Sequence, residues 1–189
     1  MFGYFQFLGF GSSDVIALCA LAVSVIAVAF SYQAAKYQWL STSAALLSSF
    51  NASYDSAEMR AARKSFAEKL LDEDKRQQID LANSEKVLEF FEEIAYLTRR
   101  KVLDKGMVWN HFSWFLERYY QAVTKHPNVF ERTRKEQQSS AIYQEIDWLY
   151  CELQKVDQKE NKLSEYSALT EEQVKKFLLY ESKLNIKRE

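Results

Sequence analysis

Glycine and proline are nearly missing: four Gly and one Pro in 189 residues. Gly3, Gly9 and Gly11 lie in the first eleven residues, so Gly106 and Pro127 are the only strong chain breakers after Ser12. Glycine-rich phosphate loops, nucleophile elbows and chains of tight hairpins all need more glycine than this, and are excluded as organising motifs. Histidine is equally scarce. His111 and His126 have no carboxylate or second histidine three or four residues away, so the Glu-x-x-His pairs of helical di-metal sites are lacking. Cys19 and Cys151 have no metal spacing, and one sits in an apolar stretch and the other in a polar helical one, which argues against a disulfide and suits a reducing compartment. An excess charge is lacking too: 25 Lys and Arg stand against 26 Asp and Glu, so no nucleic acid duplex is expected as partner.

What is present is apolar and aromatic surface, 48% and 15% of residues, in a length suited to one domain. From Val15 to Phe30 the sequence reads VIALCALAVSVIAVAF, and no charge occurs from Val15 through Ala35. As a helix, that uncharged stretch is about 31 Å long, close to the hydrocarbon thickness of a bilayer. Residues 14–35 therefore read as a transmembrane helix, with Ser12, Ser13 and Asp14 as N-caps and Tyr32, Tyr37 and Trp39 at the far interface. The aromatic residues 1–13 read as an interfacial segment. A cleaved signal peptide is the competing reading, disfavoured because no Lys or Arg precedes the run; a buried core helix is the other. Lys36, Arg60, Arg63 and Lys64 follow the span, so the positive-inside rule places the C-terminal part in the cytoplasm and the N-terminus outside the inner membrane. Ala20, Ser24, Ala27, Ser31 and Ala35 recur on one helix face, a candidate self-association stripe in which Ser24 bonds across the contact, although Ala is common in membrane helices anyway.

Residues 36–156 carry helical periodicity and predict an antiparallel bundle of about four helices, making the chain all-α. The membrane helix is expected to continue to a turn near Asn51–Ser56. A helix over 56–71 buries Met59, Ala62, Phe66 and Leu70, with Arg60, Arg63, Lys64 and Lys69 largely on other faces. After a polar connection, Asn83 or Ser84 caps a helix burying Val87, Leu88, Phe91, Ile94 and Ala95. Gly106 breaks the chain beyond it. The next helix buries Val108, Trp109, Phe112, Phe115, Leu116, Tyr119 and Val123 and ends at Pro127, and the last spans about 136–156 with Ile142, Ile146, Leu149, Tyr150 and Leu153 inward. Residues 157–189 form a charged tail in which Thr170 and Gln173 make a capping-box pattern for an amphipathic helix to about Leu184, packed on the bundle or docked elsewhere.

Three clusters are candidate sites. Glu89, Glu92 and Glu93 crowd one helix surface and invite cations: Lys86 within the helix, with Arg60, Arg63 or Arg118 from neighbours. Together with Trp114 they are a candidate partner surface, and Glu92 and Glu93 are also the residues a metal-dependent hydrolase would use. Arg99, Arg100 and Lys101, with Arg132 and Arg134, form a candidate anion or partner site, since guanidinium forks suit phosphate; a helix C-terminus attracts cations in any case. Trp109, Trp114, Tyr119 and Tyr120 exceed what one face buries, which points to a groove or interface.

The membrane helix, SAALLSSFNASYDSAEMRAAR, and VLEFFEEIAYLTRRKVLDKGMVWNHFSWFLERYY together resemble the bacterial proteins grouped as domain of unknown function 4760, over roughly residues 15–155. The most specific part is Phe90, Phe91, Glu92, Ile94, Ala95, Leu97, Arg99 and Arg100, followed by Val102, Leu103 and Asp104, then Val108, Trp109, Phe112 and Ser113. The resemblance implies a bacterial, membrane-tethered helical protein and nothing catalytic. Lys101 stands where a glycine is expected, which is read as extending the helix by a turn. The expected function is binding, as a regulatory, sensor or adaptor subunit without cofactor, forming a homo-oligomer or joining the product of a neighbouring gene. The alternatives are a ligand-gated membrane effector, possibly of phage defence, sensing an anionic nucleotide, and the hydrolase above.

Overall fold

The computed structural model describes residues 12–72, 81–125, 130, 134–135, 138–162 and 168–184, and every regular element among them is a helix. They are α1 (Ser12–Tyr54), α2 (Ala57–Leu71), α3 (Leu81–Arg99), α4 (Lys105–Lys125), α5 (Gln144–Asn161) and α6 (Glu171–Glu181). The chain forms two compact units, Met1–Thr42 and Ser43–Glu189. The interfacial segment, the connection 73–80, His126, Pro127 and Arg132 fall outside the described residues.

The first unit is the N-terminal part of α1, the one helix among the described residues long and apolar enough to cross a membrane. Its large side chains are exposed all round, including Ile16, Val28 and Phe30 at 66–69%. An aqueous helix hides one apolar stripe; this one has no polar face to offer water. Ser24 Oγ donates to the Ala20 carbonyl and Ser31 Oγ to the Ala27 carbonyl, both at 2.8 Å. The Ser24 proton bonds within its own helix, satisfying the hydroxyl as an apolar surrounding requires.

In the second unit α2 packs on α3 and α6, α3 on α5, and α5 and α6 both on α4, closing a ring of five helices. The end of α1 contributes Leu47 and Tyr54 to the core. Aromatic rings dominate the centre: Tyr54 lies within 4.8–6.0 Å of Phe90, Phe91, Phe112 and Phe115, mostly edge to face. Such geometry adds roughly 0.5–1.5 kcal/mol per pair beyond burial.

Local signals set most boundaries. Ser56 caps α2 by accepting from the Met59 N–H at 3.1 Å, after a turn at Asp55. Thr170 and Gln173 form the expected capping box of α6. Other boundaries differ from expectation. α3 begins at Leu81, so Asn83 and Ser84 lie inside it instead of capping it. Gly106 does not break the chain but sits in the first turn of α4, which Asp104 caps by accepting from the Met107 N–H at 2.9 Å. A side-chain carbon at position 106 would lie 3.2 Å from that capping oxygen, a close approach glycine permits. α5 starts at Gln144, eight residues later than its periodicity suggested, and it continues to Asn161.

Lys101 does not extend α3. It adopts φ 59°, the left-handed position after the helix, while the Val102 N–H bonds to the Leu97 carbonyl and the Lys101 N–H to that of Thr98. This is a Schellman stop, which glycine fills best. The left-handed conformation costs a side chain about 1–2 kcal/mol, against about 0.5–1 for the extra freedom glycine loses on folding. Lys101→Gly should therefore raise bundle stability by about 0.5 kcal/mol, read as a higher urea midpoint at unchanged slope.

Candidate functional site

Arg63 falls in register with Met59, Phe66 and Leu70, so it points into the core instead of lying on another face as expected. It is 3% exposed. Its Nε and Nη2 donate to the two carboxylate oxygens of Glu181, each at 2.7 Å, and its Nη1 donates to the Tyr54 carbonyl at 3.2 Å. The guanidinium lies 3.8 Å from the Tyr54 ring centre. Glu181 has no exposed surface and accepts a further bond from the Tyr119 hydroxyl at 2.7 Å. Burial opposes the charge on Arg63, but the bonds and proximity to Glu181 outweigh it and hold the guanidinium more firmly protonated than usual. Burial likewise pushes the Tyr119 hydroxyl well above its ordinary range, keeping it a donor. Three helices, α2, α4 and α6, are thereby fastened at one carboxylate.

That fastening places Phe177 of α6 edge-on to Tyr119 (4.9 Å) and to Trp114 (5.3 Å). Trp114 remains 46% exposed on α4 and forms a ridge between two recesses. One, of about 190 Å³, is lined by Trp109, Ser113, Glu117, Tyr150 and Asp157 among others. The second, of about 450 Å³, lies between α4 and α6, with Phe115, Phe177 and Tyr180 in its walls. Arg118 caps the ridge: its guanidinium lies 4.1 Å from the Trp114 ring centre, and its Nη1 donates to the Trp114 carbonyl at 2.9 Å. Burial raises the Glu117 carboxyl and lowers Arg118, which pair at 3.8 Å. The Trp109 indole N–H is buried without a partner among the described residues. A rigid aromatic flanked by concave surface and charged side chains can bind a partner.

The acidic cluster separates. Glu92 accepts from the Glu145 N–H at 3.3 Å and the Ile146 N–H at 2.9 Å, the second and third positions of α5. Tyr143, the cap residue, is left-handed and makes no side-chain capping bond, so a carboxylate from α3 does the capping across the interface. Each Glu92 oxygen accepts one backbone N–H, and no group of three metal-ligating side chains exists among the described residues. Glu89 and Glu93 line a separate shallow groove with Glu58 and Lys86, and Lys86 pairs with Glu58 rather than with them. None of the three expected arginines pairs with the cluster: Arg63 is held by Glu181, Arg118 lies on Trp114, and the buried Arg60 Nε has no acceptor among the described residues. Trp114 and the glutamates thus do not share a surface lining.

Glu92→Ala should cost about 1 kcal/mol, the usual worth of an N-cap. Burial raises the Glu92 carboxyl above 4.5, its backbone bonds opposing. The folded state then binds that proton more tightly than the unfolded one. Stability relative to Glu92→Gln should fall as pH rises through and above that value, checked by urea titrations from pH 4 to 7.

Two residues of the basic cluster are paired with acids. Arg99 pairs with Glu145 at 3.1 Å and faces Trp148, and Arg134 pairs with Asp147 at 2.8 Å while donating to the Ile142 carbonyl. Arg100 lies over Tyr96, and Lys101 occupies the left-handed stop. At Arg99 and Arg134 an anion would compete with the acids of α5's first turn.

The family described as Domain of unknown function (DUF4760) matches residues 15–153. No curated protein and no solved structure matches the chain.

Proposed function

Because the chain belongs to the DUF4760 family, whose matched region contains Trp114 and both charged clusters, we propose that it is a membrane-anchored binding protein, a regulatory, sensor or adaptor subunit without catalysis of its own. The observation carrying this reading is Trp114, half-exposed between two recesses and held rigid by Phe177 and Arg118. Interface energy concentrates on tryptophan, tyrosine and arginine in such settings. In this reading the apolar part of α1 spans the inner membrane with the N-terminus outside, and the bundle works in the cytoplasm on a second copy or on the product of a neighbouring gene.

The test is a photoreactive amino acid at position 114 in the full chain in cells, with Lys159 on α5 as the control position. We expect a covalent adduct of defined mass at 114 and none at 159. No adduct at 114, together with a strictly monomeric mass in detergent, would contradict the reading.

A further inference from the structure

The Arg63 pocket is built by Tyr54 of α1, by α2 and by Tyr119 of α4, all inside the family-matched region that ends at residue 153. Its occupant lies outside that region. α6 begins at Glu171 and presents Val174, Phe177, Leu178 and Glu181 inward, the i, i+3, i+4, i+7 pattern of a helix laid in a groove. Three of these are apolar anchors. The fourth is a carboxylate read by a two-pronged guanidinium and a hydroxyl, a geometry that selects a planar anion. A buried ion pair adds little stability over an apolar pair of the same volume, and its attested use is to fix register and partner. α6 packs on α2 and α4. Its opposite side exposes Leu179 and Tyr180.

We propose that the groove between α2 and α4 is a receptor for an amphipathic helix ending in a carboxylate, and that α6 is its resident, reversibly bound ligand. Arg63 and Tyr119 read the carboxylate; Phe66, stacked on Tyr119 with ring centres 5.9 Å apart, forms part of the apolar floor. Tethering gives α6 a high effective concentration, so it excludes competing helices until something displaces it. Leaving would uncover the Arg63 pocket and remove one wall of the larger recess beside Trp114, coupling the two surfaces.

The test uses the full chain in lipid nanodiscs with residues 163–167 replaced by a site-specific protease sequence, and a fluorescent peptide of residues 168–184 as probe. Before cleavage the peptide should bind at least a hundredfold more weakly than after it. After cleavage the bundle should keep its helical signal and take up the peptide by exchange with the resident segment. A peptide carrying Glu181→Gln should bind at least tenfold more weakly than the wild-type peptide. Unfolding on cleavage, or a resident segment that never exchanges, would make α6 an integral core helix and overturn the proposal. Equal binding of the two peptides would overturn carboxylate reading.

Discussion

Glu181→Ala should cost the bundle about 3–5 kcal/mol, because it leaves the Arg63 guanidinium in the core without its counter-ion. Stability of an ordinary domain is about 5–15 kcal/mol, so one substitution removes a large share of it. Tyr119→Phe deletes only one of the bonds to the carboxylate and should cost less, about 1.5–3 kcal/mol, the range for a hydrogen bond to a charged group. The double change Arg63→Met with Glu181→Leu removes both charges at similar volume and should recover most of the loss. Urea unfolding followed by tryptophan fluorescence orders the three variants. If the double variant is as unstable as Glu181→Ala, the cost comes from packing rather than from the stranded charge.

Phe91→Ala should cost about 3–5 kcal/mol, the range for emptying an aromatic site in a well-packed core. Phe91 is 1% exposed and touches the rings of Tyr54, Phe90, Phe112 and Tyr119 at 5.3–6.5 Å. These rings come from α1, α3 and α4, so the cavity would open where three helices meet and none alone could collapse to fill it. Tyr96 on the same helix is 47% exposed, and Tyr96→Ala should stay within about 0.5 kcal/mol. A similar loss at both positions would mean that the aromatic centre is not the core.

Features encoded by neighbours in sequence were legible. The turn near Ser56, the Phe66 and Leu70 stripe of α2 and the Thr170–Gln173 box all depend on residues within one or two turns. Features built across the chain were not. Arg63 and Glu181 are 118 residues apart, and no local pattern pairs them. A signal existed all the same: each is a charge standing in register on an apolar stripe, of opposite sign on two helices. The start of α5 was hidden because its cap, Glu92, lies on another helix, while the periodicity upstream of Gln144 reads as helical by itself. Lys101 misled because residue identity argues against a left-handed stop that the bonds to Leu97 and Thr98 impose. At the surface, Trp114 was recognisable from aromatic excess, whereas its partner Phe177 lay in the tail and came into view only through packing. Arg99 and Arg134 looked free because their counter-ions, Glu145 and Asp147, belong to a different helix.

Everything proposed for Trp114 and the Arg63 groove supposes a bundle held at a bilayer by uncleaved α1. The direct measurement is alkaline extraction of cell membranes followed by intact mass determination of the protein that stays with the lipid. We expect it in the membrane pellet with a mass that still includes the apolar stretch from Val15 to Phe30. Recovery in the soluble fraction, or a mature chain lacking the apolar stretch from Val15 to Phe30, would contradict the anchor and with it the proposed setting of the bundle.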